Sequence, residues 1–130
     1  MFSLDLNTMT WEKMAISGTL YARYSHTAHI YEDKLLLVGG VNTEQKSPGL
    51  AVISLTTFTA LEFAFPAQDK QSLLMLHRHT SVLRPDKEDF QLVLLGGGGN
   101  CFSFGTHLNR TPVLVDIAGA CGCMQQAKTS

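Results

Sequence analysis

The chain has little of what would mark a secreted, membrane-bound or nucleic-acid-binding protein. Its three cysteines, Cys101, Cys121 and Cys123, are odd in number and crowd the end of the sequence. That is no disulfide framework, and they read as reduced thiols. No apolar run approaches the roughly 18 residues needed to cross a bilayer, and Met1-Phe2-Ser3-Leu4-Asp5 has neither the basic stretch nor the apolar core of a secretory leader. These absences predict an intracellular, cytoplasmic chain with no membrane partner. In that setting the sequon Asn109-Arg110-Thr111 has no consequence. Ten basic residues against eleven acidic ones leave a net charge of −1. Lys and Arg are scattered, so the electrostatic footprint of an autonomous nucleic-acid binder is missing.

What the sequence does have is a repeat. Leu35-Leu36-Leu37-Val38-Gly39-Gly40 and Leu92-Val93-Leu94-Leu95-Gly96-Gly97 are apolar runs that end in paired glycines. Each follows an Arg/His cluster, Arg23-Tyr24-Ser25-His26 and His77-Arg78-His79. The glycine pairs lie 57 residues apart, from 39 to 96, near the period of about 50 of a kelch blade, where four antiparallel strands make one sector of a β-propeller. The flanks keep the register. Phe2-Ser3-Leu4-Asp5-Leu6, Leu50 to Leu55 and Thr111 to Ile117 each read as a blade strand before a turn, and Asn7-Thr8-Met9-Thr10-Trp11 corresponds to Thr56-Thr57-Phe58-Thr59-Ala60. Trp11 sits where kelch repeats carry a tryptophan, which the second unit replaces with Ala60. The fold class expected is all-β, about two kelch-type four-stranded antiparallel blades of an incomplete β-propeller. Residues 1–117 form the propeller fragment and 118–130 a disordered C-terminal tail.

Most letters of the repeat are structural. The glycine pairs end inner strands, where a missing side chain lets blades approach one another. Tyr31-Glu32-Asp33-Lys34 reads as a hairpin turn, Arg84-Pro85-Asp86-Lys87-Glu88-Asp89 as a longer charged version, and Asp69-Lys70-Gln71 as a loop between blades. The histidines do not read as ligands. His26 and His29 stand three apart, which sends them to opposite faces of a strand. His77 and His79 share a face, but no cysteine or carboxylate completes a tetrahedral set at a recognisable spacing. A hydrogen-bonded structural role is the reading for His26 and His79, and no metal is assigned.

One segment departs from the repeat. Gly96 to Asn109 holds five of the eleven glycines and adds Cys101, Phe102, Phe104 and His107. Glycine-rich backbone offers amides to an anion, and aromatic rings stack on bases, but the spacing of a phosphate-binding loop is absent. Cys101 and His107 lack a third, orienting residue for nucleophilic catalysis. The competing reading is a specialised loop packing the channel mouth. Phe102 and Phe104, two apart, share a face in an extended segment and at least one reads as core. The candidate substrate-facing residues are Gly98, Gly99, Asn100, Cys101, Ser103 and His107; no catalytic or cofactor-binding residue is assigned.

The string Gly97-Gly98-Gly99-Asn100-Cys101-Phe102-Ser103-Phe104-Gly105-Thr106-His107-Leu108-Asn109, following a kelch-type repeat, resembles the C-terminal propeller of the tRNA wybutosine-synthesizing protein 4 (leucine carboxyl methyltransferase 2) family. The resemblance covers residues 1–117. It implies an N-terminal methyltransferase domain that binds S-adenosylmethionine, further blades, and phenylalanine tRNA as substrate, whose modified guanosine is methylated and methoxycarbonylated. No strand, glycine loop and helix of a cofactor domain occur in this chain, so none of the family's catalytic or S-adenosylmethionine-binding residues has a counterpart. The expectation is a fragment, an alternative start or a truncated isoform that is itself inactive, and whose open sheet edges favour aggregation or edge pairing. The alternative is a kelch interaction module that recruits protein partners through its loops.

Overall fold

The computed structural model describes residues 1–42, 48–65, 76–85, 90–101 and 105–127. Strands β1 (Phe2–Asp5) and β2 (Thr10–Lys13) form an antiparallel pair. Next come β3 (Ser17–Gly18), β4 (Thr27–Tyr31), β5 (Lys34–Val38), β6 (Leu50–Ser54) and β7 (Thr59–Phe63), in one sheet ordered β3-β7-β6-β5-β4. Strands β8 (His79–Pro85) and β9 (Phe90–Gly96) are followed by the hairpin β10 (Gly98–Cys101) and β11 (Gly105–Leu108). Strand β12 (Val113–Asp116) then returns to complete the order β12-β9-β8. The helix α1 spans Ala118–Ala127. The chain is thus dominated by antiparallel sheets, and among the described residues no sheet closes into a ring. The larger sheet contains the expected four antiparallel strands, β4 to β7, and adds β3 in parallel. Among the described residues the smaller has three strands where four were expected.

The repeat is visible in the backbone as well as in the letters. Asp5 Oδ1 accepts from the amides of Asn7 and Thr8 at 2.8 and 3.2 Å, and Ser54 Oγ accepts from Thr56 and Thr57 at 3.3 and 3.2 Å. Such short side-chain acceptors stabilise the turn they begin. Both turns then pass through a left-handed residue, Met9 at φ 55° and Phe58 at φ 54°, before β2 and β7 pair back antiparallel. The third position in this series is Asp116. Its Oδ1 accepts from the amide of Ala118 at 2.9 Å, but here the chain enters α1 instead of a turn and a strand.

That helix corrects the expectation of a disordered tail for 118–127; residues 128–130 lie outside the described residues. Its cause is local and tertiary together. Asp116 satisfies an amide at the helix start, as a capping carboxylate does, Ala118 and Ala120 carry high helix propensity, and Ile117 and Cys121 are buried in the core. The polar stretch after Cys123, with no apolar periodicity, gives the sequence no sign of this anchor.

The core lies between the two large sheets. Cross-strand pairing of Leu36 with His29 and Val52, and of Val38 with Thr27 and Leu50, puts these residues on one face. Leu36, Val38, Leu50 and Val52 cluster there with Leu92 and Leu94 of β9, with Leu76 before β8, and with Ile117 and Cys121. Tyr31 and Phe90 add a tilted ring contact at 4.1 Å between centroids. Gly39 and Gly40 make this approach possible. A Cβ on Gly39 would lie 2.4 Å from Leu76 Cβ, and both glycines have positive φ. The freed space lets the Gly40 amide donate to the Leu76 carbonyl at 2.7 Å, so the strand ending in one unit holds the chain entering the next.

Candidate functional site

The glycine-rich segment becomes a short antiparallel hairpin, with Gly98 opposite Leu108, Gly99 opposite His107, Asn100 opposite Thr106 and Cys101 opposite Gly105. Its base is held to the body of the protein by backbone bonds. The Gly98 amide donates to the His77 carbonyl at 3.0 Å, the Asn109 amide to Gly97 O at 2.9 Å, and Asn109 Nδ2 to Gly96 O at 3.0 Å. Gly96, Gly97 and Gly98 all have positive φ, at 66°, 78° and 156°. A Cβ on Gly97 would stand 2.7 Å from His79 Cβ. Three consecutive glycines therefore turn the chain out of β9 into the β10–β11 hairpin.

The expected site residues divide accordingly. Gly98, Gly99, Asn100, Cys101 and His107 fall on this hairpin, and Ser103, with Phe102 and Phe104, lies outside the described residues. Cys101 and His107 stand two ladder positions apart rather than opposite one another. The loops at Asp69-Lys70-Gln71 and 86–89 are also outside the described residues.

Beside the hairpin base lies a polar seam that joins the two sheets. Thr27 Oγ1 is hydrogen-bonded to His79 Nε2 at 3.1 Å and also to Ser81 Oγ, which in turn meets His29 Nε2 at 2.6 Å. His79 thus has the hydrogen-bonded role expected of it, and His29, considered in the sequence only as a co-ligand of His26 and set aside as one, shares it. Burial lowers the pKa of His79, reinforced by repulsion from His26 and His77 and opposed by the nearby backbone of Leu76 and Val38. His29 is lowered by burial, and His26 by burial and then by Arg23. The seam therefore favours neutral imidazoles. Tyr24 and His77, equivalent positions of the repeat, meet edge to face at 6.3 Å and 87°.

Arg23 extends the seam along the neighbouring edge. Its guanidinium pairs with Glu62 and donates to the carbonyls of Gly39 at 3.3 Å and Gly49 at 3.5 Å, while the Tyr21 amide donates to Glu62 Oε1 at 2.9 Å. Both charged side chains are nearly inaccessible, so the pair is a tie within the fold. Sequence reasoning noted Arg23 only as part of a repeated cluster, and no signal marked Glu62. Cys121 offers no nucleophile, since burial pushes its thiol pKa up, Lys34 acting in the opposite sense. Among the described residues no three His, Cys, Asp or Glu come together as a metal cluster, and no helix is long and apolar enough to cross a membrane.

No family model matches the sequence. Two curated proteins do, each called tRNA wybutosine-synthesizing protein 4, one from Homo sapiens and one from Rattus norvegicus. Each is 49% identical to this chain over 109 residues, which is 83% of the chain and 16% of the relative. The chain thus spans about a sixth of the length of these relatives.

Proposed function

Related by sequence to a segment of tRNA wybutosine-synthesizing protein 4, this chain, we propose, is a part of a kelch-type β-propeller that serves a wybutosine-forming tRNA methyltransferase as a wall of its substrate site and carries no catalytic group of its own. The observation that carries this reading is the 49% identity to both relatives over 83% of the chain. Its support in the fold is the repeated turn, from Asp5 through Met9 and from Ser54 through Phe58. Antiparallel units in fixed register are how a propeller is built.

In this reading S-adenosylmethionine and the transferred groups belong to a domain elsewhere in the longer relatives, and phenylalanine tRNA meets the propeller only beside that domain. The near-neutral charge of the chain fits a wall that shapes a site rather than one that captures RNA by counterion release. The hairpin β10–β11 is the element of this wall that reaches toward substrate, because the glycine-, cysteine- and aromatic-rich segment that follows the Gly96-Gly97 pair departs from the repeat in composition. Calorimetry tests the division of labour. The purified chain takes up no S-adenosylmethionine and leaves wybutosine-precursor tRNA unmodified, and micromolar cofactor binding would sink the reading.

A further inference from the structure

Two side chains from each large sheet form one continuous hydrogen-bonded chain across the interior. It runs from His79 Nε2 to Thr27 Oγ1, from Thr27 Oγ1 to Ser81 Oγ, and from Ser81 Oγ to His29 Nε2. Each of the three links needs one proton. The two hydroxyls supply one apiece, so the third comes from an imidazole. One histidine therefore donates through Nε2 while the other accepts through Nε2. Burial decides which. His79 is 7% exposed and its Nδ1 has no hydrogen-bond partner, and a buried N–H is left orphaned more rarely than an acceptor, so the neutral ring carries its proton on Nε2. His29 is only half-buried and its Nδ1 is not a buried atom without a partner, so that nitrogen can hold the proton instead.

We propose that this chain of bonds is a pH-sensitive clasp between the two sheets, in which His79 donates to Thr27, Thr27 to Ser81 and Ser81 to His29, and protonation of His29 opens it. A proton added to His79 goes to Nδ1 and leaves all three links in place. A proton added to His29 goes to Nε2, where it meets the Ser81 hydroxyl. Four protons then meet three links, and either a link breaks or a buried hydroxyl proton is left without an acceptor among these side chains, each at a cost. The groups facing His79 are His26 and His77, and Arg23 faces His26. All three oppose charge on His79, which leaves the half-buried His29 as the site of the acid-sensitive event. Once the clasp is open, His29 titrates near pH 6.5; when it is closed, burial holds its pKa lower. The clasp is therefore fully favoured above about pH 6.5. As pH falls from there to the clasped value, the opening constant rises by up to about tenfold per pH unit.

Nitrogen NMR of the histidine side chains tests the order of the protons. At about pH 7.5 His79 is expected as the Nε2–H tautomer and His29 as the Nδ1–H tautomer. His29 protonated on Nε2 at that pH, or both rings in the same tautomer, would overturn the proposal. Hydrogen exchange tests the opening at the Gly40 amide, whose 2.7 Å bond to the Leu76 carbonyl joins the two units. Corrected for intrinsic exchange, its protection falls on acidification from about pH 7 to about pH 5. His29→Gln, whose amide oxygen accepts from Ser81 and does not titrate, keeps that protection, while His79→Gln, whose amide donates to Thr27, still loses most of it. An equal loss in wild type and His29→Gln would overturn the proposal. The tautomer measurement needs no variant and decides the matter if His29→Gln fails to fold.

Discussion

Val38 and Leu95 occupy equivalent register positions, opposite Thr27 and Thr80 in their hairpins, yet Val38 is fully buried and Leu95 is 39% exposed. The difference is what stands in front of each. Val38 faces the next sheet, while among the described residues nothing packs over the equivalent face of that next sheet, where Val82 and Leu95 are exposed.

This asymmetry sets the cost of truncation. Leu36→Ala, inside the interface, lowers stability by about 2–5 kcal/mol, while Leu95→Ala stays within about 0.5 to 1 kcal/mol because it opens no cavity. Urea unfolding of the two variants compares them directly. Equal losses would mean that the interface between the sheets contributes no more than the free face.

Asp116→Ala removes the acceptor of the Ala118 amide and is expected to cost about 1 kcal/mol, with loss of helical dichroism. Asp116→Asn retains both. Unchanged helicity in the alanine variant would show that the buried Ile117 and Cys121 hold α1 without its cap.

The lowered pKa of His79 fixes the sign of an acid response. An unfolded histidine titrates near pH 6.5, and the folded state binds its proton only at lower pH. Above about pH 6.5 both states are neutral. As pH falls from there toward the folded value, the unfolded state binds more protons and stability declines. His26 and His29 act in the same direction, so His79→Gln removes part of the decline rather than all of it. Urea midpoints at several pH values between 7.5 and 5 measure this, and a midpoint that rises on acidification would contradict the assignment.

The Arg23–Glu62 pair gives a sharper contrast. Glu62→Gln leaves a buried guanidinium without its counter-charge and is expected to cost about 3–5 kcal/mol, whereas Arg23→Met with Glu62→Leu recovers most of that loss. Thermal unfolding of the single and double variants separates a tie of this kind from a surface pair, for which both changes are near neutral.

The repeat was legible because its signals are local. Double glycines after apolar runs, and the spacing of Thr10 and Thr59 from the turns before them, depend only on near neighbours in the chain. The seam of Thr27, His79, Ser81 and His29 was not legible, since 52 or more residues separate the partners of each bond. Nothing local distinguishes Ser81 from any exposed serine on a strand, and Glu62 reads the same way until Arg23 is brought across from β4's approach. The helix was missed because its anchor, Cys121, reads as a residue of a frayed terminus until Ile117 draws it into the core. The glycine-rich segment was recognised by composition, but its hairpin register was not, because glycine carries no β-propensity of its own.

The central claim is that β10–β11 shapes a substrate site whose chemistry is supplied elsewhere. The most direct measurement replaces the equivalent hairpin in a full-length relative by a tight turn, then follows both S-adenosylmethionine binding and modification of wybutosine-precursor tRNA. The account predicts unchanged cofactor affinity with modification reduced about tenfold or more, corresponding to roughly 1.4 kcal/mol of lost positioning. Modification at the normal rate would contradict it, as would a parallel loss of cofactor binding.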